Sequence, residues 1–347
     1  MVTRTQDLNG RARHLLRTLV ANYIQEGQPV GSRSLARHSG LSLSAATIRN
    51  VMADLEDAGL VSSPHTSAGR IPTVQGYRFF VDTLLKVVPV EAGTYQQIET
   101  RLTRPRPASK VASSASDLLS MLTSFVGVVT LPKREQFAFR HIDFVHISET
   151  QLLVILVFQD NEVQNRIIHC KRSYSVAELE RAANFLNTEF SGLLLGEIRR
   201  RLIADLVTAR QQMDQIMNAA IDIAKNAFAN DAATEVVVSG QTNLMNCDDL
   251  SDVEQLKRIF DKIQHQQDML QLLDECVSAD GVRLFIGEES GSEALDSCSL
   301  VTAPYSVDGQ TVGVLGVIGP TRMAYDRVIS VVEATAEILG SALNQKR

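Results

Sequence analysis

Apolar positions recur every three or four residues over 8–24, where Leu15, Leu16, Leu19, Val20, Tyr23 and Ile24 share one face, and this spacing predicts a helix. The Gly- and Pro-containing stretch EGQPVGS at 26–32 breaks it. Ser32 can cap a short second helix, SRSLARHS, buried through Leu35 and Ala36. Gly40 makes a tight turn, and a third helix runs from about 44 to 58, with Ile48, Val51, Met52 and Leu55 on its inner face and Gly59 as its stop. Three helices with a turn between the second and third are the helix-turn-helix arrangement. Two short extended pieces follow, near 60–62 and 70–73, joined by a turn rich in Ser, Thr and Gly, which is the shape of a wing. A linker helix is then predicted from Tyr77, Phe80, Val81, Leu84, Leu85 and Val88, ended by Pro89, and the basic, Pro-rich TRPRPAS at 103–109 reads as a hinge.

The texture changes after 110. VASSASDLLSMLTSFVG predicts a helix and VGVVTL a buried strand. FAFRHIDFVHI, QLLVILVFQ and EVQNRIIHC predict an antiparallel run, and VRLFIG, CSLVTAPYSV and QTVGVLGVIGP a second, with Asp308–Gly309 as a hairpin turn. The two runs are expected to form one α+β sheet domain, covered by a last helix, AYDRVISVVEATAEILGSAL. Between them, 176–277 is read as mainly helical, with apolar repeats over 198–227 and 253–273 separated by the short strand TEVVVSG.

Charge changes this picture. Residues 1–89 hold ten Lys/Arg against six Asp/Glu, a net +4; with −6 for the 347-residue chain, the remainder carries −10. A basic head on an acidic body suggests a polyanion partner for the head alone. The length implies two or three domains. Apolar runs such as LLVILVF at 152–158 are far short of the ~20 residues a membrane helix needs, and MVTRTQDLNGRARH lacks the apolar core of a signal peptide. The four cysteines are scattered and form no C-x-x-C pair, so a reduced, cytoplasmic setting without membrane contact is expected.

Candidate chemistry concentrates on the third helix and the wing. The helix's outer face, Ala46, Thr47, Arg49, Asn50 and Ala53, is slim enough to enter a major groove. Asn can bond adenine through two atoms, Arg can reach guanine or phosphate, and Thr can do either or touch a thymine methyl. Arg49 has an alternative in pairing with Asp54 or Glu56. Thr66 and Ser67 offer hydroxyls, and Arg70 offers a charge for phosphate or the minor groove, the alternative being a surface ion pair. His65 is read as shaping the turn. Arg33 and Ser34 start the second helix, where a phosphate can sit. Catalysis has no support: there is no legible Ser-His-Asp set, no G-x-G-x-x-G and no P-loop; His141 and His146, five apart on one strand, would point to opposite faces, and His169 with Cys170 has no nearby partners for a metal. No cofactor or metal is expected, and the chain is not read as an enzyme.

The stretch ATIRNVMADLEDAGLVSSPHTSAGRIPTVQGYRFFVD, with VGSRSLA upstream and GVLGVIGPTRMAYDRVISVVEATAEIL near the C-terminus, resembles the HrcA family of bacterial heat-shock repressors. The resemblance implies a winged helix at 1–76, a linker and hinge at 77–110, and a GAF-like α+β domain in two parts, 111–175 and 278–347. An inserted, mainly helical dimerisation domain at 176–277 would interrupt it. It further implies a homodimer on an inverted repeat, the CIRCE operator, ahead of chaperone operons, with the chaperonin GroEL promoting the active form. A two-headed reader needs a two-fold interface, for which Leu202, Leu206 and Met213 on the 198–227 face are the candidates. The alternative is a small-molecule-responsive regulator with the GAF-like domain as sensor.

Overall fold

The computed structural model describes residues 8–41, 43–65, 69–104, 107–131, 138–159, 163–170, 172–195, 197–198, 200–201, 236–274, 276–277 and 281–344. The N-terminal unit holds helices α1 (Gly10–Glu26), α2 (Ser32–His38) and α3 (Ala45–Asp57), then strands β1 (Val61–Ser62) and β2 (Ile71–Pro72). The Asn9 side chain accepts the Ala12 amide at 2.8 Å and the Ser44 hydroxyl accepts the Thr47 amide at 3.1 Å, so α1 and α3 each begin on a side-chain cap. Leu15, Leu16, Leu19, Leu35, Ile48, Leu55 and Leu60 are fully buried between the helices. The β1–β2 ribbon closes with Val61 opposite Pro72 and Ser62 opposite Ile71. Helix α4 (Val74–Phe79) runs on through a wider π-type turn over Phe80–Leu84 and ends at Leu85, which is extended. The expected linker helix thus stops early, and Val88 is exposed. A further helix, α5 (Ala92–Leu102), precedes α6 (Ala108–Thr123), and the break between them falls at the expected hinge.

The body is built on a five-stranded antiparallel sheet. Its strands are β3 (Val126–Thr130), β7 (Val236–Ser239), β8 (Arg283–Ile286), β9 (Cys298–Val307) and β10 (Gln310–Pro320), in the order β7-β3-β10-β9-β8. Asp308 and Gly309 both have positive φ and join β9 to β10, as the sequence predicts. Helices α6 and α10 (Tyr325–Asn344) cover one face, through Val129, Leu315 and Val317. Helices α8 (Val253–Gln264) and α9 (Gln266–Asp274) cover the other, where Val126, Val128 and Ile318 meet Ile259 and Ile263.

The strands at 139–169 do not join that sheet, contrary to expectation. β4 (Phe139–Ser148), β5 (Gln151–Phe158) and β6 (Val163–His169) form a separate three-stranded sheet, packed on α7 (Val176–Phe190) around its own core. The burial of the strands reflects this partition. β3 is buried at all five positions, as a strand between two helical layers must be. β5 alternates buried and half-buried positions, which suits a sheet covered on one face. The second correction concerns 236–274, read with the helical segment: β7 pairs with β3, and α8 and α9 line the body's second core.

The winged helix is not a separate bead. Its core residues, with Tyr77 and Phe80, run without a gap into Tyr325, Val328 and Val332 of the body. Tyr77 and Tyr325 pack with ring centroids 5.9 Å apart.

Candidate nucleic-acid interface

The α2–α3 pair presents one open face. Ile48 and Leu55 are fully buried and Met52 nearly so, which turns Ala46, Thr47, Arg49, Asn50 and Ala53 outward, all exposed. The Thr47 hydroxyl lies 2.9 Å from the Ser44 hydroxyl, so the first turn of α3 carries a small polar pair. Arg49 makes no ion pair with Asp54 or Glu56 among the described residues. Arg33 is exposed at the start of α2. Ser34 is half-buried, with its Oγ 3.4 Å from His38 Nδ1, and no side chain caps α2. His38 Nδ1 also lies 3.0 Å from Asn22 of α1, and His14 Nε2 lies 2.7 Å from the Ser39 carbonyl, so the C-terminal end of α2 is tied to α1.

The wing is anchored at its base. Val30, just before α2, and Arg70 exchange two backbone hydrogen bonds, each 2.9 Å. Gly69 lies so close beneath that a Cβ there would fall 2.5 Å from the Val30 carbonyl carbon, and no side chain fits. The Arg70 side chain takes the alternative weighed above: its Nη2 pairs with Glu56 at 2.7 Å, tying the wing to the last turn of α3. Its Nε is buried without a hydrogen-bond partner among the described residues. The Ser63 hydroxyl donates to the His65 carbonyl at 2.7 Å, which holds the turn at His65. Thr66 and Ser67 lie outside the described residues, as do Leu202, Leu206 and Met213.

The α3 face can do what double-stranded DNA demands. Small residues allow close approach, and an amide, a guanidinium and a hydroxyl project within two turns. No cluster of three or more His, Cys, Asp or Glu that could hold a metal occurs among the described residues. Burial pushes the Cys298 thiol up to about 12 and raises Cys170 and Cys247, so these thiols are poor nucleophiles.

Sequence reasoning missed a second group of residues, where this unit meets the body. Arg78 on α4 pairs with Glu289, and Arg322 with Asp249 and with the end of α1. Partners separated by 211 and 298 positions leave no local pattern to read.

Two family descriptions fit the chain. Residues 7–83 match "Winged helix-turn-helix transcription repressor, HrcA DNA-binding", and 109–329 match "HrcA protein C terminal domain". The chain is similar to the heat-inducible transcription repressor HrcA of Xanthomonas campestris pv. campestris, 52% identical over 97% of this chain and 96% of that one. It is also similar to the protein of that name from Xylella fastidiosa, 48% identical over 97% and 96%. A crystal structure of a hypothetical protein at 2.2 Å resolution shares the fold, with a TM-score of 0.67, 24% identity, and coverage of 98% of this chain and 100% of that one. Among the described residues no helix is long and apolar enough to cross a membrane.

Proposed function

The chain belongs to the HrcA family of winged helix-turn-helix transcription repressors, and from that premise we propose that it represses chaperone operons by binding, as a dimer, to the inverted-repeat CIRCE operator. The observation that carries this reading is the open α3 face, with Arg49 and Asn50 exposed on a unit of net charge +4. Asn50 reads a base, Thr47 and Ala46 allow the approach, and Arg49 and Arg33 reach phosphates. Thr66 and Ser67 extend the contact from the wing. Arg70 joins them by exchanging Glu56 for phosphate, a swap between two anions.

An inverted repeat calls for two heads on a two-fold axis. Besides Leu202, Leu206 and Met213, the outer face of the three-stranded sheet supports such an interface. Val145, Leu153 and Ile167 stand side by side across its strands, with Val157 beside Val163. Val145, Val163 and Ile167 are 45%, 53% and 60% exposed, an apolar patch for a second copy to cover. In this reading the body is a GAF-like domain interrupted by the unit that carries this patch. Promotion of the active form by the chaperonin GroEL rests on the family resemblance alone.

The test is a gel shift of the full chain on inverted-repeat DNA, with and without chaperonin. Specific retardation at a stoichiometry of two chains per duplex, strengthened by chaperonin, is expected. Binding with no preference over random duplex would sink the reading. Operator binding that switches only on addition of a small molecule would favour the sensor alternative.

A further inference from the structure

Two arginines fasten the winged helix to the body, and neither clamp uses a residue of α2 or α3. Arg322, between β10 and α10, reaches the C-terminal end of α1. Its Nη1 donates to the Ile24 carbonyl at 3.3 Å and its Nε pairs with Asp249 at 2.6 Å. The guanidinium lies against Gly27, where a Cβ would fall 2.9 Å from Nη1. Arg78, on α4, reaches the other way. Its Nε donates to Glu289 Oε1 at 3.0 Å, while Nη2 pairs with Oε2 and donates to the Leu284 carbonyl at 2.7 Å. Glu289 is itself held by the Ile286 amide at 2.9 Å. A third tie, from the Ser330 hydroxyl to the Val88 carbonyl at 2.6 Å, pins the chain where it leaves α4.

Apolar contact between Tyr77, Phe80 and the body draws the two units together but has no direction, so it permits sliding. A guanidinium fork engaging a carboxylate and a carbonyl at once fixes an angle as well as a distance. Two such forks at separate points remove rotation about either one. The arginines therefore matter less for whether the head is attached than for where α3 points.

We propose that Arg78 and Arg322 are positioning residues which set the heading of the recognition helix, and thereby the half-site spacing that the protein accepts on DNA. This rests on the two-headed operator reading above. In a dimer joined through the sheet unit, the head reaches the two-fold axis by way of the body, and any freedom between head and body becomes freedom in the separation of the two α3 helices. A rigid joint gives high effective concentration at one spacing and little at others.

The experiment uses the full chain. The protein first selects its own site from random duplexes. That site, a version with half-sites moved apart by about five base pairs, roughly half a helical turn, and a single half-site are then titrated. Wild type should prefer the selected spacing by roughly tenfold or more. The double variant Arg78→Ala/Arg322→Ala should hold the half-site within about twofold of wild type, yet lose most of the tenfold spacing preference. Arg78→Glu alone should reduce the preference, and Arg78→Glu with Glu289→Arg should restore it. A wild type indifferent to spacing would sink the two-headed reading itself. A preference kept in full by folded variants would overturn the clamp. So would loss of half-site binding in every variant, the exchanged pair included, because the arginines would then be supporting the head's own fold.

Discussion

The winged helix and the three-stranded sheet unit occupy the molecule in opposite ways. The winged helix has a basic balance and a recognisable motif of its own, yet its core runs on into α10 through Tyr77, Phe80 and Tyr325. The sheet unit has no such motif, yet Phe139, Val154, Leu156, Phe158, Leu186 and Phe190 form a core separate from the rest. Its edge is closed by Asn187, which accepts from the Ile142 amide at 2.7 Å and donates to its carbonyl at 3.1 Å. A unit that is distinct in sequence and function need not be distinct in packing. The unit that contacts DNA is the one bound firmly to the body, and the unit with the exposed apolar sheet face is the one that packs alone.

The largest expected effect tests that separateness. Phe139 is fully buried in the sheet unit, and Phe139→Ala should cost about 3–5 kcal/mol there. Hydrogen exchange should show 138–198 losing protection while α1–α4 keep theirs, and half-site binding should persist. A single transition that takes the head down with it would erase the contrast.

The next effect lies on the head's outer surface. Asn50→Ala should remove roughly 1–3 kcal/mol of base discrimination, read as weaker operator binding with random-duplex binding little changed. Arg70→Ala should lower the salt slope of binding by about one on both duplexes, and an unchanged slope would take Arg70 off the phosphate list.

A smaller effect sharpens the description of the joint. The Tyr77 hydroxyl is buried without a partner among the described residues, and burial raises its pKa, with Tyr325 nearby adding to the shift, so it stays protonated. Tyr77→Phe should keep the ring packing and stabilise the full chain by about 1 kcal/mol, read as a higher melting temperature. Destabilisation would mean that the hydroxyl has a partner in solution.

Acid separates the two units most finely. Glu178 caps α7, and hydrogen bonds from the Ser175 amide and hydroxyl and from Arg172 lower its pKa to about 2. Glu289 is raised by burial, but the hydrogen bond from Arg78, the Ile286 amide and the guanidinium charge bring it below the ordinary value. Both are depressed carboxylates. Their stabilisation is present above the unfolded value, about 4.3, and is lost as pH falls through the folded one. Pepsin digestion from pH 4 downward should therefore find the head–body joint loosening within that window, with α7 persisting to about pH 2. Glu289→Gln should make cleavage at the joint less dependent on pH.

Much of this architecture is readable without coordinates, for identifiable reasons. Helices α1 and α3 have an apolar face of the right period and a capping residue before it, and both form where expected. The Asp308–Gly309 hairpin follows from two residues that tolerate positive φ. The partition of strands between two sheets is not legible in the chain, because β5 (QLLVILVF) is as continuously apolar as β3 (VGVVT), and its alternation exists only in which positions the fold buries. What local pattern could not supply is pairing at a distance. Arg78 with Glu289 and Arg322 with Asp249 look like ordinary surface charges until the fold joins them. The engagement of Arg70 with Glu56 was one of two options the sequence left open.

The junction of Gly69, Val30 and Arg70 makes the base of the wing a zone of low mutational tolerance. At its base, backbone lies on backbone, and even one added methyl group would have to displace the Val30 carbonyl. Length cannot change there either, because a one-residue shift would break the paired hydrogen bonds to Val30 and move the register of Ile71 against Ser62. Loop grafts meant to retarget DNA recognition should therefore leave 69–72 untouched, since a cut placed at the base would alter the scaffold and the reading surface together.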